Sequence, residues 1–553
     1  MRGPLAAGRK DAQKTDNRLT TRAGLVKWFC RALVLAAATA GCSILGLGSA
    51  EYSVVVYGGT PSGIAAAVAA ARLGEKVCLV AQNTHLGGRL ASGVSEVEGG
   101  AAECVGGISR EVLLSIAAYY RDTYGEDSPQ FEACRGGLRF EPHVAEQVFE
   151  ALVAAEDITV MRGWRVTGVE TSFDRILTLA VENTAGGDTA RVAGRFFIDA
   201  SYTGDFFAEA GAPFSTGRES RAAFEETLAG RLWQDPNSGA PLPGSSHEGD
   251  SLTQAYNWRL CLTDSLENSV SWPEPENYDP EDFRILYDFI RRRAGVVPGD
   301  LLQFIPLPNQ KFDVDDNPDC WLSADLVGES QSYPQGSWEE REAIEKAHRE
   351  YLLGLWKFLR TDPGLPESLR VQFSRYRPAA DEFTDNGSFP FQLNVREARR
   401  LHGEEVFTER DATTDTLKEE SIGLGGYPLN SHATGPVRLP YPWREGYFVL
   451  PVRPYQIPYR IMVPTWIRNL LVSVCVSASH VGCASLQREP VSMILGQAAG
   501  TAASICLNFN TEAHEAPVGE LQRLLQANGA ILSSEQARPW EEDIDPGLTN
   551  RLP

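Results

Sequence analysis

The chain has 553 residues, a formal net charge of −22, 43% hydrophobic and 22% charged residues. That length exceeds one ordinary core and predicts two or three domains or one large composite. The composition excludes a disordered or fibrous chain, and an acidic balance without a basic run in the body argues against a nucleic-acid partner.

Residues 1–50 read as a separate piece. Lys27 and Arg31 precede an apolar run over 32–47, and Gly48-Ser49-Ala50 follows. Basic, apolar, then small is the order of a secretory signal peptide, with cleavage expected after Ala50 and an uncleaved anchor as the alternative. The run is short for a membrane span of about 20 residues. The protein is therefore expected to be exported (periplasmic or secreted) or anchored by its N-terminus, with membrane contact only through that segment. An Arg-Arg pair, the mark of export in the folded state, does not occur in residues 1–50. Cys30 and Cys42 lie in this leader. The remaining cysteines form no C-x-x-C pair, and Cys78, Cys475 and Cys506 lie in apolar stretches that suit buried free thiols. Neither a disulfide framework nor a metal site is expected.

The β-branched run over 52–57 is long enough for a buried strand. Gly58-Gly59-Thr60-Pro61-Ser62-Gly63 follows, then an Ala-rich helix over 64–73 closed by Gly74, then a second strand over 77–80. Strand, glycine turn, helix and strand within about 30 residues is the dinucleotide-binding context. Gly58 allows the tight turn, Gly63 lets the helix approach the sheet, and the helix N-terminus would hold a pyrophosphate. Two positions depart from the pattern. Thr60 replaces the middle glycine, and Ala81-Gln82 stands where an acidic residue would bind ribose hydroxyls. Gln82 is expected to bond a hydroxyl instead.

His85-Leu86-Gly87-Gly88-Arg89 suggests a second backbone approach to the same cofactor. With these two glycine segments the chain resembles the bacterial FAD-dependent oxidoreductase family, of the two-dinucleotide-binding flavoprotein fold. The resemblance continues in order through Phe140-Glu141-Pro142-His143, Phe197-Ile198-Asp199-Ala200-Ser201-Tyr202-Thr203-Gly204-Asp205 and Pro308-Asn309-Gln310-Lys311. It goes on through Val395-Arg396-Glu397-Ala398-Arg399-Arg400, Asn469-Leu470-Leu471-Val472, Ser477-Ala478-Ser479-His480 and Gly496-Gln497-Ala498-Ala499-Gly500, covering about residues 52–530.

The resemblance implies an α/β fold with a Rossmann-like FAD-binding domain split in sequence. Its parts are expected at 51–214 and 451–512, around an inserted α+β substrate-facing domain at 215–450. A tail with a short helix follows at 513–553. The cofactor is expected to be FAD, held by Gly58, Gly59, Thr60, Pro61, Ser62, Gly63, Gln82, Gly87, Gly88, Arg89, Asp199, Gly204, Asp205, Ser477, Gly496, Gln497 and Ala498. In resembling flavoproteins the small-residue helix at 496–507 aims its N-terminus at the flavin; close helix packing is the plainer reading of the same residues. His480 is the leading candidate for proton transfer, with Arg488 beside it and His432 as the weaker alternative. His85 is expected near the cofactor.

Within the insertion, a polar helix over 338–359 carries Ile344, Ala347, Tyr351, Leu352 and Trp356 at helical spacing. Seven of the eleven Trp fall in 215–450, too slight an excess to favour sugar stacking over core packing. Asp313-Val314-Asp315-Asp316-Asn317 opens like a calcium loop, but Pro318 and Ala324 break the pattern, leaving a solvated turn near the substrate as the expectation. Arg396, Arg399 and Arg400 suit either an anionic substrate group or ion pairs with Glu397 on a helix. The expected activity is FAD-dependent oxidation of a small molecule, carbohydrate-related compounds included, by hydride transfer to the flavin and on to an unidentified electron acceptor. The alternatives are a lyase-like polysaccharide-processing protein and a non-catalytic nucleotide-binding module. G-x-S-x-G, H-E-x-x-H and Walker patterns do not occur.

Overall fold

Strand β1 (Glu51–Tyr57) places Val54, Val55, Val56 and Tyr57 entirely inside, as a strand covered on both faces must. The computed structural model to which it belongs describes residues 51–97, 102–235, 238–435, 444–537 and 540. The expected leader over 1–50 and the last thirteen residues lie outside them. The described residues belong to one compact unit.

Helix α1 (Pro61–Arg72) follows β1, with Pro at its start and an almost wholly buried alanine-rich body. Strand β2 (Val77–Ala81) then pairs parallel with β1. Helices α2 (Gly107–Tyr124) and α3 (Pro142–Ala154) precede strand β3 (Ile158–Arg162), which joins the sheet beside β2. The meander β4 (Trp164–Ser172), β5 (Arg175–Asn183) and β6 (Thr189–Asp199) returns to β1, giving the order β3-β2-β1-β6-β5-β4. β6 is shared. Its first half pairs antiparallel with β5, while Phe197, Ile198 and Asp199 pair parallel with the late strand β7 (Leu470–Val472). β7 is shorter than the apolar run over 470–476: the Ser473 N–H gives a last bond to the Asp199 oxygen at 2.9 Å, and the chain bends away from 473 onward.

The central region carries a four-stranded antiparallel sheet, in the order 377–378, 260–263, 311–316 and 302–307. Helix α4 (Trp338–Thr361) packs its apolar stripe beside it, matching the expected 338–359. A second apolar core gathers there, with Trp272 stacked on Trp356 at 4.8 Å. These tryptophans are core, not sugar platforms.

Two expectations are corrected here. Residues 311–316 form a buried strand rather than a solvated turn, because Arg259 holds Asp313 and Asp315 while Arg444 holds Asp316. Residues 395–399 lie outside any helix or strand, and Arg396, Arg399 and Arg400 run to different partners: Arg396 to Asp325, Arg399 to Asp205, and Arg400 to Glu397 and Glu219.

The chain ends its core with α5 (His480–Leu486) and the 21-residue α6 (Glu489–Phe509), which lies on α1. α6 is apolar enough for a membrane span by composition but is 89% buried here. A short helix, Val518–Ala527, lies in the tail.

Candidate cofactor and active site

Backbone turns converge at the C-terminal edge of the parallel strands. Gly58 has φ +125°, and a Cβ there would lie 2.5 Å from the Ala200 carbonyl oxygen. A Cβ on Gly63 would lie 1.9 Å from the Gly58 oxygen. Thr60 caps α1: its Oγ1 accepts from the Gly63 N–H at 3.1 Å and donates to the Ala200 oxygen at 2.7 Å. Pro61 has no N–H and Gly63 is capped, so Ser62 offers the first-turn amide to an anionic group. Thr60 therefore replaces the usual glycine with a cap that locks the turn to β6.

The loop after β2 sits against this turn. The Gly87 N–H donates to the Gly59 oxygen at 2.9 Å, and a Cβ on Gly88, whose φ is +51°, would lie 2.3 Å from the Tyr202 hydroxyl. That hydroxyl accepts from the Arg89 N–H at 3.0 Å and donates to Glu489 at 2.8 Å. The Arg89 guanidinium meets Glu489 at 2.6 Å and the Gln487 oxygen at 2.7 Å. Glu489 lies in the first turn of α6, where its charge suits the helix dipole and Arg89 balances it.

Several expected cofactor contacts have scaffold partners instead. Asp199 accepts from the Ser201 N–H and hydroxyl and from the Phe207 N–H at 2.7–2.9 Å, so it pins the loop after β6. Burial nonetheless holds its carboxyl up at about 6. Gly204 (φ +68°) is the left-handed residue that ends this loop, closed against the Phe207 ring. Asp205 is taken by Arg341 and Arg399, which outweigh burial and hold it below the usual carboxylate range. Gln82 donates to the Tyr57 hydroxyl at 2.8 Å. Ser477 is fixed through its backbone to Ile461 and Phe407. Gly496, Gln497 and Ala498 lie two turns inside α6. A Cβ on Gly496 would lie 2.1 Å from the Ser62 oxygen, and Gln497 accepts from the Ile108 N–H at 2.9 Å. They pack helix on helix and do not form a helix start. His85 bridges Glu146 and Asp385 at 2.7 and 3.0 Å.

A cavity opens where the 89–97 segment meets the start of α6. Its apolar wall includes Leu90, Val94, Val105, Leu424 and Ile494; its polar wall includes Arg89, Arg259, Arg396, His432, Gln487 and Arg488. Arg89, Arg259 and Arg396 are tied to Glu489, Asp313, Asp315 and Asp325, so they serve as wall rather than as open donors. The Arg488 guanidinium lies over the Tyr427 ring at 4.0 Å and bonds its hydroxyl.

The two histidines part company. His480, the leading sequence candidate, is 1% exposed, absent from the cavity wall, and engaged at both ring nitrogens, by Glu397 at 2.8 Å and Ser431 at 3.3 Å. Glu397 is held down at about 2, since His480 and Arg400 outweigh its burial. His432 lines the cavity, with Nδ1 bonded to buried Asp325 at 2.7 Å. Arg396 and His432 outweigh burial and keep Asp325 below the usual carboxylate range. Sequence reasoning missed Asp325, Tyr427, Arg259 and Glu489. Only Glu489 carried a signal, because Arg488-Glu489-Pro490 reads as a helix start.

Two carboxylate–histidine groups have metal-like spacing among the described residues. In one, the Lys311 ammonium sits 2.6 Å from both Glu141 and Glu382 and takes the cation's place. In the other, Arg444 and Arg396 neutralise Asp316 and Asp325.

The sequence profile of the family described as FAD dependent oxidoreductase matches residues 53–525. No protein of curated function matches the chain. Among solved structures, the chain is similar to the myxobacterial chondrochloren halogenase CndH, an FAD-dependent halogenase. The identity there is 12% over 86% of this chain and 78% of that one, with a TM-score of 0.35. It is similar to a geranylgeranyl bacteriochlorophyll reductase-like protein of Thermoplasma acidophilum at 11% identity, over 90% of each chain, with a TM-score of 0.33. A glycerol-3-phosphate dehydrogenase of Bacillus halodurans complexed with FAD shares 13% identity over 34% of this chain and 44% of that one, with a TM-score of 0.23.

Proposed function

The chain belongs to the FAD-dependent oxidoreductase family, and from that premise we propose that it oxidises a small molecule held in the cavity at the start of α6, with His432 as the proton acceptor. FAD is its cofactor, and the residues present fit it. The close-packed glycines at 58, 63 and 88 leave no room for side chains, and Ser62 offers an unused amide at a helix N-terminus.

When bound, FAD supplies a two-electron acceptor able to take a hydride from a C–H bond. The chain's own part is proton transfer and enclosure. The observation that carries the reading is the Asp325–His432 pair on the cavity wall. Asp325 fixes the imidazole through Nδ1, which leaves Nε2 to accept a proton from a substrate hydroxyl or amine. Arg396 keeps Asp325 ionised and so able to hold the Nδ1 proton. The apolar wall excludes water beside it. His480 does not suit the role, because both its nitrogens are bonded within the fold. A substrate with an oxidisable C–H beside an O–H or N–H satisfies this arrangement, and sugar alcohols are one such class. Export or anchoring through residues 1–50 belongs to the same reading and rests on their basic, apolar, small-residue order.

The test is anaerobic titration of the purified yellow protein with alcohols, amines and sugars, following loss of flavin colour. His432→Gln should retain flavin while the rate of bleaching falls about 10²–10⁴-fold, the usual worth of a positioned base. An unchanged rate would remove His432 from the reaction.

A further inference from the structure

The loop that carries Gly87 and Gly88 is crossed by a strap, residues 381–396. Both ends of the strap are anchored on buried residues. Asp381 and Glu382 meet Lys311 at 2.9 and 2.6 Å, and at the far end Asn394 bonds the Asn257 oxygen at 2.9 Å while Arg396 meets Asp325 at 3.0 Å. Between the anchors the strap lies along the cofactor loop. Asn83 donates to Gln392 at 2.7 Å, and Ser92 Oγ accepts from the Phe391 and Gln392 N–H groups at 2.9 and 2.8 Å. The His85 ring stacks on Phe391 at 4.2 Å and meets Asp385 at 3.0 Å, while its other nitrogen meets Glu146 on α3 at 2.7 Å. The strap is also bent against preference: Phe383 and Ser388 hold left-handed φ values of 49° and 55°, which such residues adopt only when their surroundings enforce it.

We propose that this strap is a catch that retains the FAD, and that His85 is its positioning residue, clamping the strap to α3 across the Gly87–Gly88 turn. The inference rests on the family's cofactor alone and not on the substrate oxidation proposed above. His85 acts through the loop. With the clamp closed, the strap holds Asn83, His85 and Ser92 on either side of Gly87 and Gly88 while the Gly87 N–H is held by the Gly59 oxygen; with it open, the bent strap is free to relax and the turn loses its outer support.

The clamp is sensitive to pH. The groups facing His85 are Glu146 on α3 and Asp385 on the strap; nearby on β3, Arg162 bonds the Thr84 oxygen and pairs with Glu150. The Glu146 bond, aided by Asp385 and opposed by burial, raises the imidazole above its ordinary value. A raised histidine holds its bridge at low pH and loses it as pH rises through that value.

The experiment follows FAD release from the holoenzyme diluted into an excess of a flavin-trapping apoprotein. His85→Gln and Asp385→Asn should each release FAD about tenfold faster, the scale of one lost charge-assisted hydrogen bond. The double variant should release it no faster than His85→Gln. Wild-type release should speed up as pH rises through the His85 titration, and His85→Gln release should not respond to pH. Asp385 is 63% exposed, so its variant folds normally and keeps the test informative if His85→Gln does not. Wild-type release rates in both single variants, or an equal pH response in His85→Gln, would overturn the proposal.

Discussion

Gly496 on α6 lies against Ser62 on α1 so closely that a Cβ at 496 would sit 2.1 Å from the Ser62 carbonyl oxygen, and Gly500 repeats the contact on Ala66 one turn later at 2.1 Å. The clash is with backbone, which cannot swing aside as a side chain would. Gly496→Val should therefore push the helices apart, at a cost of about 1–3 kcal/mol or more, and displace the cofactor turn at the start of α1. Denaturant melting and the flavin content of the purified variant would show it. A fully loaded, undiminished variant would mean that the helices do not support the turn.

Lys311 is fully buried and neutralises Glu141 and Glu382 at 2.6 Å each, with Asp381 at 2.9 Å. Lys311→Met removes the cation and strands two buried carboxylates, which should cost about 3–5 kcal/mol of unfolding free energy. The deficit should shrink on acidification, as those carboxylates take up protons. A deficit that does not change with pH would assign the loss to packing instead.

Glu226 is raised to about 7 by burial, with Glu219 and Glu409 adding to the effect. Its folded form binds a proton more tightly than its unfolded form. Stability from this group is therefore present at low pH and is lost as pH rises from about 4.5 to about 7. Glu226→Gln cannot ionise. The fall in unfolding free energy between about pH 5 and pH 8 should shrink by about 3 kcal/mol in the variant. Parallel pH curves for the two proteins would contradict the placement of this charge.

His480 and His432 should separate by phenotype. His480→Asn removes a bridge between Glu397 and Ser431 in the interior, so it should lower the melting temperature and leave the chemistry of the remaining folded enzyme largely intact. His432→Asn should do the reverse. Paired melting curves and single-turnover bleaching rates would decide, and a catalytic collapse confined to His480→Asn would exchange the two roles.

Local features were legible in the sequence. The β1–turn–α1–β2 unit was readable because a β-branched run, a glycine turn and an alanine helix each declare themselves over a few residues. The small residues at 496–500 announced close packing but not its partner, since Ser62 lies more than four hundred positions away. The acidic strand at 313–316 misled because its meaning depends on Arg259, Arg396 and Arg444, which reach it from distant segments. The two histidines are told apart by features of the same distant kind. A strand followed by a serine-rich turn suggested His480, whereas cavity exposure and the Asp325 contact, both tertiary, favour His432.

The fork in β6 has a consequence for how the protein is made. Ser62 and Ser473, which bond at 2.8 Å across the cofactor turn, are 411 positions apart. A ribosome delivers α1 roughly four hundred residues before it delivers β7 and α6. Until β7 arrives, the second half of β6 is paired with β1 on one edge only, and its other edge stays open to other strands. Pairings this remote close slowly, so the cofactor turn gains its support from Ser473 and α6 only after those segments have been made. The yield of holoenzyme should then depend on how well that waiting edge is shielded, by chaperones or by early folding of the central region, until β7 and α6 arrive.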